Sequence, residues 1–200
     1  MSTRPLRILL LDNYDSFTYI LADYLEQSDA TCTILRNDAM TLEAVKKLDF
    51  DAIVLSPGPC RPADAGIMPA IIDFFHDKKP ILGICLGHQG IGEFFGARLI
   101  NARMPVHGKT SCVTQTGRHP IFENLPAQFD VMRYHSLILE DLAGTPLTCI
   151  AQTDNGEIMA FAHNQLPIIG LQFHPESVLT PYGKEMLGNW AKSCTDIMMY

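Results

Sequence analysis

The chain alternates short, almost unbroken apolar runs with stretches in which apolar residues recur every three or four positions. Leu6–Leu11 is apolar except for Arg7 and ends at Asp12 and Asn13. Such a run fits a strand covered on both faces. Ser16 is placed to cap a helix reaching about Gln27, with Ile20, Leu21, Tyr24 and Leu25 on one face. Thr31–Leu35 predicts a second strand. Thr41 and Glu43 then open a short helix that turns Leu42, Val45 and Leu48 inward, and Asp51–Leu55 makes a third strand closed by Ser56–Pro59. An amphipathic helix over Ile67–Phe75, a strand over Pro80–Ile84 and a helix from about Gly87 to Phe95 complete the first half. Strand–helix alternation of this kind predicts a doubly wound parallel sheet, whose sites lie outside the carboxyl ends of the strands.

The second half changes period. Ala97–Ala102, Thr110–Gln115, Asp130–Tyr134, Leu147–Thr153 and Ile158–His163 read as strands divided by turns, a smaller antiparallel region, and Asp154-Asn-Gly156 marks a hairpin. A last strand, Ile168–Phe173, runs into His174-Pro-Glu176, and a closing helix covers about Tyr182–Lys192. No repeat or linker interrupts the pattern, so residues 1–200 are expected to form one domain.

Composition narrows the function classes. A formal net charge of -7 argues against a nucleic-acid backbone as main partner. No stretch is apolar enough to span a bilayer, and the N-terminus lacks the pattern of a signal peptide, so a cytoplasmic protein is expected. The six cysteines, Cys32, Cys60, Cys85, Cys112, Cys149 and Cys194, form no Cys-x-x-Cys pair. Neither a zinc site nor a redox motif is indicated, and most are expected to be reduced and structural.

Cys85 is the exception. It follows an apolar strand, precedes a helix, and is flanked by Gly83 and Gly87. A sharp strand-to-helix turn crowds the backbone and needs small neighbours on both sides. The helix N-terminus favours thiolate, and the Leu86 N–H would face an oxyanion. A buried cysteine between turn glycines fits the bare motif equally well. A nucleophile also needs a base. His88 lies on the helix after the turn, His76 and His119 sit among polar or turn residues and are expected to be solvated, and His163 has no special reading. His174 ends a buried strand, so it could face Cys85, with Glu176 holding its tautomer. Gly58 admits close backbone approach and could lend a second N–H, while Cys60 lacks an elbow. Gln89 falls four residues after Cys85 and could recognise a substrate amide or carboxylate. Arg133–Leu137 ends a strand in an unusual polar cluster, and His107-Gly-Lys109 is a weak signal.

Gly-Ile-Cys-Leu-Gly-His-Gln, Ser-Pro-Gly-Pro, Tyr-His-Ser-Leu and Gln-Phe-His-Pro-Glu-Ser together resemble the class I (triad-type) glutamine amidotransferases. Leu-Asp-Asn-Tyr-Asp-Ser-Phe-Thr and His-Gly-Lys narrow the resemblance to the glutaminase subunits of anthranilate synthase and aminodeoxychorismate synthase. It runs from Leu9 to about Leu187. It implies an α/β three-layer, flavodoxin-like sandwich around a mostly parallel twisted sheet. It also implies that Cys85 attacks glutamine to form a γ-glutamyl thioester, with His174 as acid and base and Glu176 as its partner. Gly58 and Leu86 would supply oxyanion N–H groups. Pro59, Cys60, Gln89, Ser136 and Leu137 complete the candidate substrate contacts. Ammonia would pass to a separate chorismate-binding synthase subunit. Magnesium belongs to that partner, so no metal or cofactor is expected here. Cys60, where many anthranilate-type relatives carry glycine, and Arg36-Asn-Asp-Ala39 lean toward the folate branch or toward dual use. The chain ends soon after its last helix, so the acceptor enzyme is expected to act in trans. A silent regulatory subunit of the same fold is the alternative.

Overall fold

A computed structural model describes residues 4–198, with only the backbone of 103–107. Its organising element is β1 (Leu6–Asp12), which feeds two cores by simple alternation. Ile8 and Leu10 point into one apolar cluster, Leu9 and Leu11 into the other. The continuous apolar run therefore means what it predicted, a strand covered on both faces. β2 (Ala30–Arg36), β3 (Ala52–Leu55), β4 (Ile81–Ile84) and β9 (Ile168–Leu171) join it in parallel.

The helices cover the two faces. α1 (Thr18–Glu26) and α5 (Gly183–Met198) pack Leu21, Leu25, Met186, Leu187 and Trp190 into the first core. α2 (Leu42–Val45), α3 (Met68–Phe75) and α4 (Leu86–Phe94) bring Val45, Met68, Ile72 and Ile91 to the second. The result is the expected three-layer sandwich. No helix among the described residues is long and apolar enough to cross a membrane.

The antiparallel region is not separate. β5 (Leu99–Gln115), β6 (Gln128–Leu139), β7 (Leu147–Thr153) and β8 (Ile158–His163) continue the same sheet, in the order β2-β1-β3-β4-β9-β8-β7-β5-β6. The turn between β7 and β8 has Gly156 at φ +79° with its N–H on the Thr153 carbonyl at 2.8 Å, as the Asp-Asn-Gly signal predicted.

Several local expectations are corrected. The predicted strands Ala97–Ala102 and Thr110–Gln115 are one strand, β5, pairing with β6 through register shifts at Asn101/Val106 and His107/Lys109. Bulges let one strand bend and stay paired, where Pro105 and Gly108 in the sequence between read as a break. β6 likewise runs on to Leu139, so Arg133–Leu137 lies within a strand and not at its exit. Ser16 does not cap α1. Phe17 takes that position without a side-chain cap of its own, and its N–H donates to the Asp15 carboxylate at 2.8 Å. Ile20 and Leu48 are exposed, and Ala22 joins Leu21 and Leu25 on the buried face. Thr41 does cap α2, accepting from the Ala44 N–H. His119 is half-buried, and its Nδ1 accepts from the Ile121 N–H. The His107 side chain lies outside the described residues.

Candidate active site

β3, β4 and β9 run side by side, so Ser56, Cys85 and the segment from Gln172 reach one sheet edge together. Cys85 sits at φ +49°, ψ -96°, a backbone state that costs a non-glycine residue of order 1–3 kcal/mol. Three contacts hold it there. Its N–H donates to the Leu171 carbonyl at 2.8 Å, its carbonyl accepts the first helical bond from Gln89 at 3.0 Å, and the flanking glycines allow the fit. A β-carbon on Gly83 would stand 2.5 Å from the Gly87 carbonyl carbon, and one on Gly87 would stand 2.6 Å from both the β-carbon and the carbonyl oxygen of Leu55.

His174 follows β9, and Thr180 grips it from the next turn. The Thr180 hydroxyl donates to the His174 carbonyl at 2.7 Å and accepts from the Met132 N–H at 3.0 Å, while the His174 N–H donates to Met132 at 3.0 Å. The His174 Nδ1–H donates to Glu176 Oε1 at 2.6 Å, with both side chains buried. This fixes the tautomer and leaves Nε2 buried without a hydrogen-bond partner of good geometry. Burial opposes a charge on this ring, but the Cys85 sulfur and the Glu176 carboxylate outweigh it and raise its pKa to about 10. The ring is therefore held as an imidazolium facing the Cys85 sulfur. Tyr134 stands edge-on to the ring at 5.1 Å and stacks on Phe17 at 6.2 Å. Asp15, not anticipated from sequence, lies nearby with its pKa raised, chiefly by burial and further by Glu176.

A pocket of about 200 Å³ opens beside the sulfur. It is lined by Gly58, Pro59, Cys60, Cys85, Gln89, Tyr134, His135, Ser136 and Leu137. Gly58 is held by Asn13: the Asn13 N–H and side-chain amide donate to the Ser56 hydroxyl and carbonyl at 2.8 and 2.9 Å. A β-carbon on Gly58 would meet the Asn13 carbonyl at 2.5 Å and Leu86 at 2.9 Å, so this loop lies directly against the first residue of α4. Cys60 takes φ +67° and is exposed at the pocket.

The remaining candidates fall outside. His88 is fully buried against Phe161 at 4.6 Å, and burial pushes its pKa down to about 3 despite the nearby Gly170 backbone. It packs the interior as a neutral ring. His76 and His163 are part-exposed. All six cysteines are unpaired, and burial pushes Cys32 and Cys194 up to about 12. Among the described residues no three His, Cys, Asp or Glu side chains gather to hold a metal ion.

A strained cysteine at a strand–helix turn, facing a histidine held by a glutamate, is an arrangement for acyl transfer through a thioester. The family comparison agrees: residues 9–194 match the model of "Glutamine amidotransferase class-I". The chain belongs to the class-I glutamine amidotransferases. It is 46% identical over 187 residues to the aminodeoxychorismate/anthranilate synthase component 2 of Bacillus subtilis (strain 168), covering 93% of this chain and 96% of that one. It is 44% identical over 190 residues to the aminodeoxychorismate synthase component 2 of Serratia marcescens, covering 92% and 98%. Among solved structures it is similar to a Thermoplasma acidophilum protein assigned to GMP synthase, with a TM-score of 0.87 and 28% identity over 99% of this chain and 98% of that one.

Proposed function

We propose that residues 1–200 form one glutaminase unit that hydrolyses L-glutamine and delivers ammonia to a separate chorismate-using synthase subunit. The observation that carries this reading is the pairing of Cys85, at φ +49°, with the His174–Glu176 bond of 2.6 Å beside one pocket. The Cys85 thiolate attacks the carboxamide carbon, and the N–H groups of Gly58 and Leu86 receive the developing oxyanion. His174 gives its Nε2 proton to the leaving nitrogen, the C–N bond breaks, and ammonia leaves. The neutral ring then takes a proton from water, which attacks the thioester and returns Cys85 as thiolate with glutamate released. Glu176 holds the ring and offsets its charge. Pro59, Cys60, Gln89, Ser136 and Leu137 contact the substrate.

A partner seated over this edge is supported by the apolar side chains around it. Tyr14, Phe17, Tyr134, Val178 and Leu179 are all exposed beside the site, Val178 at 86%. The relatives' names cover both chorismate products, so the acceptor enzyme makes 4-amino-4-deoxychorismate, anthranilate or both.

The test is reconstitution with each synthase partner in turn, following glutamate, anthranilate and aminodeoxychorismate separately. Glutamine-dependent product should appear with at least one. Cys85→Ala should abolish it while free ammonia still supports synthesis. Full glutamine-dependent activity in Cys85→Ala would refute the mechanism, and a parent protein that never turns over glutamine would make this a silent, regulatory chain.

A further inference from the structure

The mechanism above leaves two buried polar groups beside the nucleophile unused, Gln172 and the Arg133–His135 pair. Gln172 is fully buried, and Gln89, Arg133 and His135 nearly so. Buried polar side chains of this kind are placed by their partners, and here the partners form one line.

It begins at Glu157, where the hairpin turn enters β8. Arg133 Nη2 donates to the Glu157 carboxylate and Nη1 to the Ser111 hydroxyl at 3.1 Å. Arg133 Nε donates to His135 Nε2 at 3.0 Å, and His135 Nδ1 meets the Leu137 carbonyl at 3.0 Å. That same carbonyl accepts from Gln89 Nε2 at 3.1 Å. Gln89 Nε2 donates again, to Gln172 Oε1 at 3.3 Å, and Gln172 Nε2 reaches Cys85 Sγ at 3.8 Å.

The direction of every bond follows from two groups with no choice. A guanidinium only donates, and a main-chain carbonyl only accepts. Arg133 therefore makes His135 Nε2 the acceptor and Nδ1 the protonated nitrogen, which is what the Leu137 carbonyl requires. The Leu137 carbonyl turns the Gln89 amide nitrogen toward itself. The Gln172 oxygen must then face Gln89, and its nitrogen must face the sulfur. The two Gln orientations, normally ambiguous, are thus set from Glu157 inward.

We propose that Gln172 is a hydrogen-bond donor to the Cys85 thiolate, and that Arg133, Glu157 and His135 are positioning residues that orient it through Leu137 and Gln89. This rests on Cys85 being the nucleophile. An amide N–H favours thiolate over thiol, because only the anion is a strong acceptor. The other titratable groups around the sulfur are His174, with Glu176 and Asp15 behind it, His88 on α4 and His135 from β6. His135 spends its N–H on the Leu137 carbonyl and its Nε2 on Arg133, and neither His88 nitrogen meets the sulfur, so Gln172 is the side chain that donates to it while His174 faces it.

The test is the pH dependence of Cys85 alkylation by iodoacetamide, read by mass spectrometry of the Cys85 peptide, so that Cys60 and Cys112 do not contribute. It needs no glutamine turnover, and so stands or falls separately from the reconstitution above. Gln172→Met keeps the volume and removes the donor. Its alkylation midpoint should rise by about half to one pH unit, with a ~3- to 10-fold slower rate below the midpoint. Glu157→Gln, remote from the sulfur and largely buried, should raise the same midpoint by a smaller amount, with a ~2- to 3-fold slower rate below it. A folded Gln172→Met with the parent midpoint would overturn the proposal. Should that variant fail to fold, a folded Glu157→Gln protein with the parent midpoint would overturn it instead.

Discussion

Replacing Gly87 by alanine places a methyl group against β3, the strand that leads into the Ser56–Pro59 loop. Its nearest neighbours would be the β-carbon and the carbonyl oxygen of Leu55, each at 2.6 Å. Neither is the free end of a side chain, so α4 and β3 must part by about 0.8 Å to reach ordinary contact. Overpacking at a rigid site costs about 1–3 kcal/mol, and the helix propensity gained by alanine returns at most about 1 kcal/mol. The net loss, up to about 2 kcal/mol, should lower Tm by up to roughly 8 °C for a chain of this size. Turnover should suffer more, because Cys85 rides on the same turn and a displacement approaching 1 Å can cost up to about 100-fold. Gly90→Ala on the same helix is the control. Its β-carbon would meet the Met68 methyl at 2.9 Å, the tip of a flexible side chain, so it should melt within about 2 °C of the parent. Differential scanning fluorimetry and glutamate release, with the synthase partner present, read both effects. A Gly87→Ala protein that melts and turns over like the parent would refute the steric reading of the elbow. Equal losses in both variants would place the effect in α4 as a whole.

Two further outcomes concern protonation. The raised pKa of His174 means that its bound proton favours the fold fully below the ordinary histidine value, and that this contribution is lost as pH rises through about 10. Removing the sulfur with Cys85→Ala should lower that midpoint in an NMR titration of the ring, and an unmoved midpoint would contradict the coupling of His174 to Cys85. Asp51 accepts from Arg4 and Arg7 side chains at 2.6–3.1 Å, which hold its carboxyl well below the usual range against the cost of burial. Its stabilisation is present above the unfolded carboxylate pKa and is lost as pH falls through the depressed one. Asp51→Asn should therefore melt lower than the parent at neutral pH, and the gap should close in strong acid. A gap that persists there would assign the loss to packing.

The parallel half of the fold was legible because its signal is local. A strand covered on both faces must be apolar at consecutive positions, and Leu6–Leu11, Ala52–Leu55 and Ile81–Ile84 are largely so. The elbow was legible for the same reason, since Gly83 and Gly87 sit within two residues of the atom they serve. β5 was not. It carries polar residues along an outer ribbon and absorbs its irregularity in bulges, so the strand reads as two. The line from Glu157 to Cys85 was invisible for a different reason. It depends on the spatial order β7-β5-β6, which places residue 157 beside residue 133 without any periodicity to announce it. Gln172 offered one signal, a polar residue in an otherwise apolar terminal strand, fully buried in the folded chain.

That order also sharpens what Gln89 can do. From sequence it could meet either an amide or a carboxylate. In the structure its amide nitrogen serves Leu137 at 3.1 Å and Gln172 at 3.3 Å, which uses both hydrogens. Its spare capacity is the side-chain oxygen, an acceptor. A carboxylate accepts only and would find no donor there, whereas a carboxamide or an ammonium group would find an acceptor. Gln89 can therefore favour a ligand that brings N–H groups into the pocket, and glutamine brings both kinds. The residue proposed to read the substrate is thus tied through Gln172 to the sulfur of Cys85.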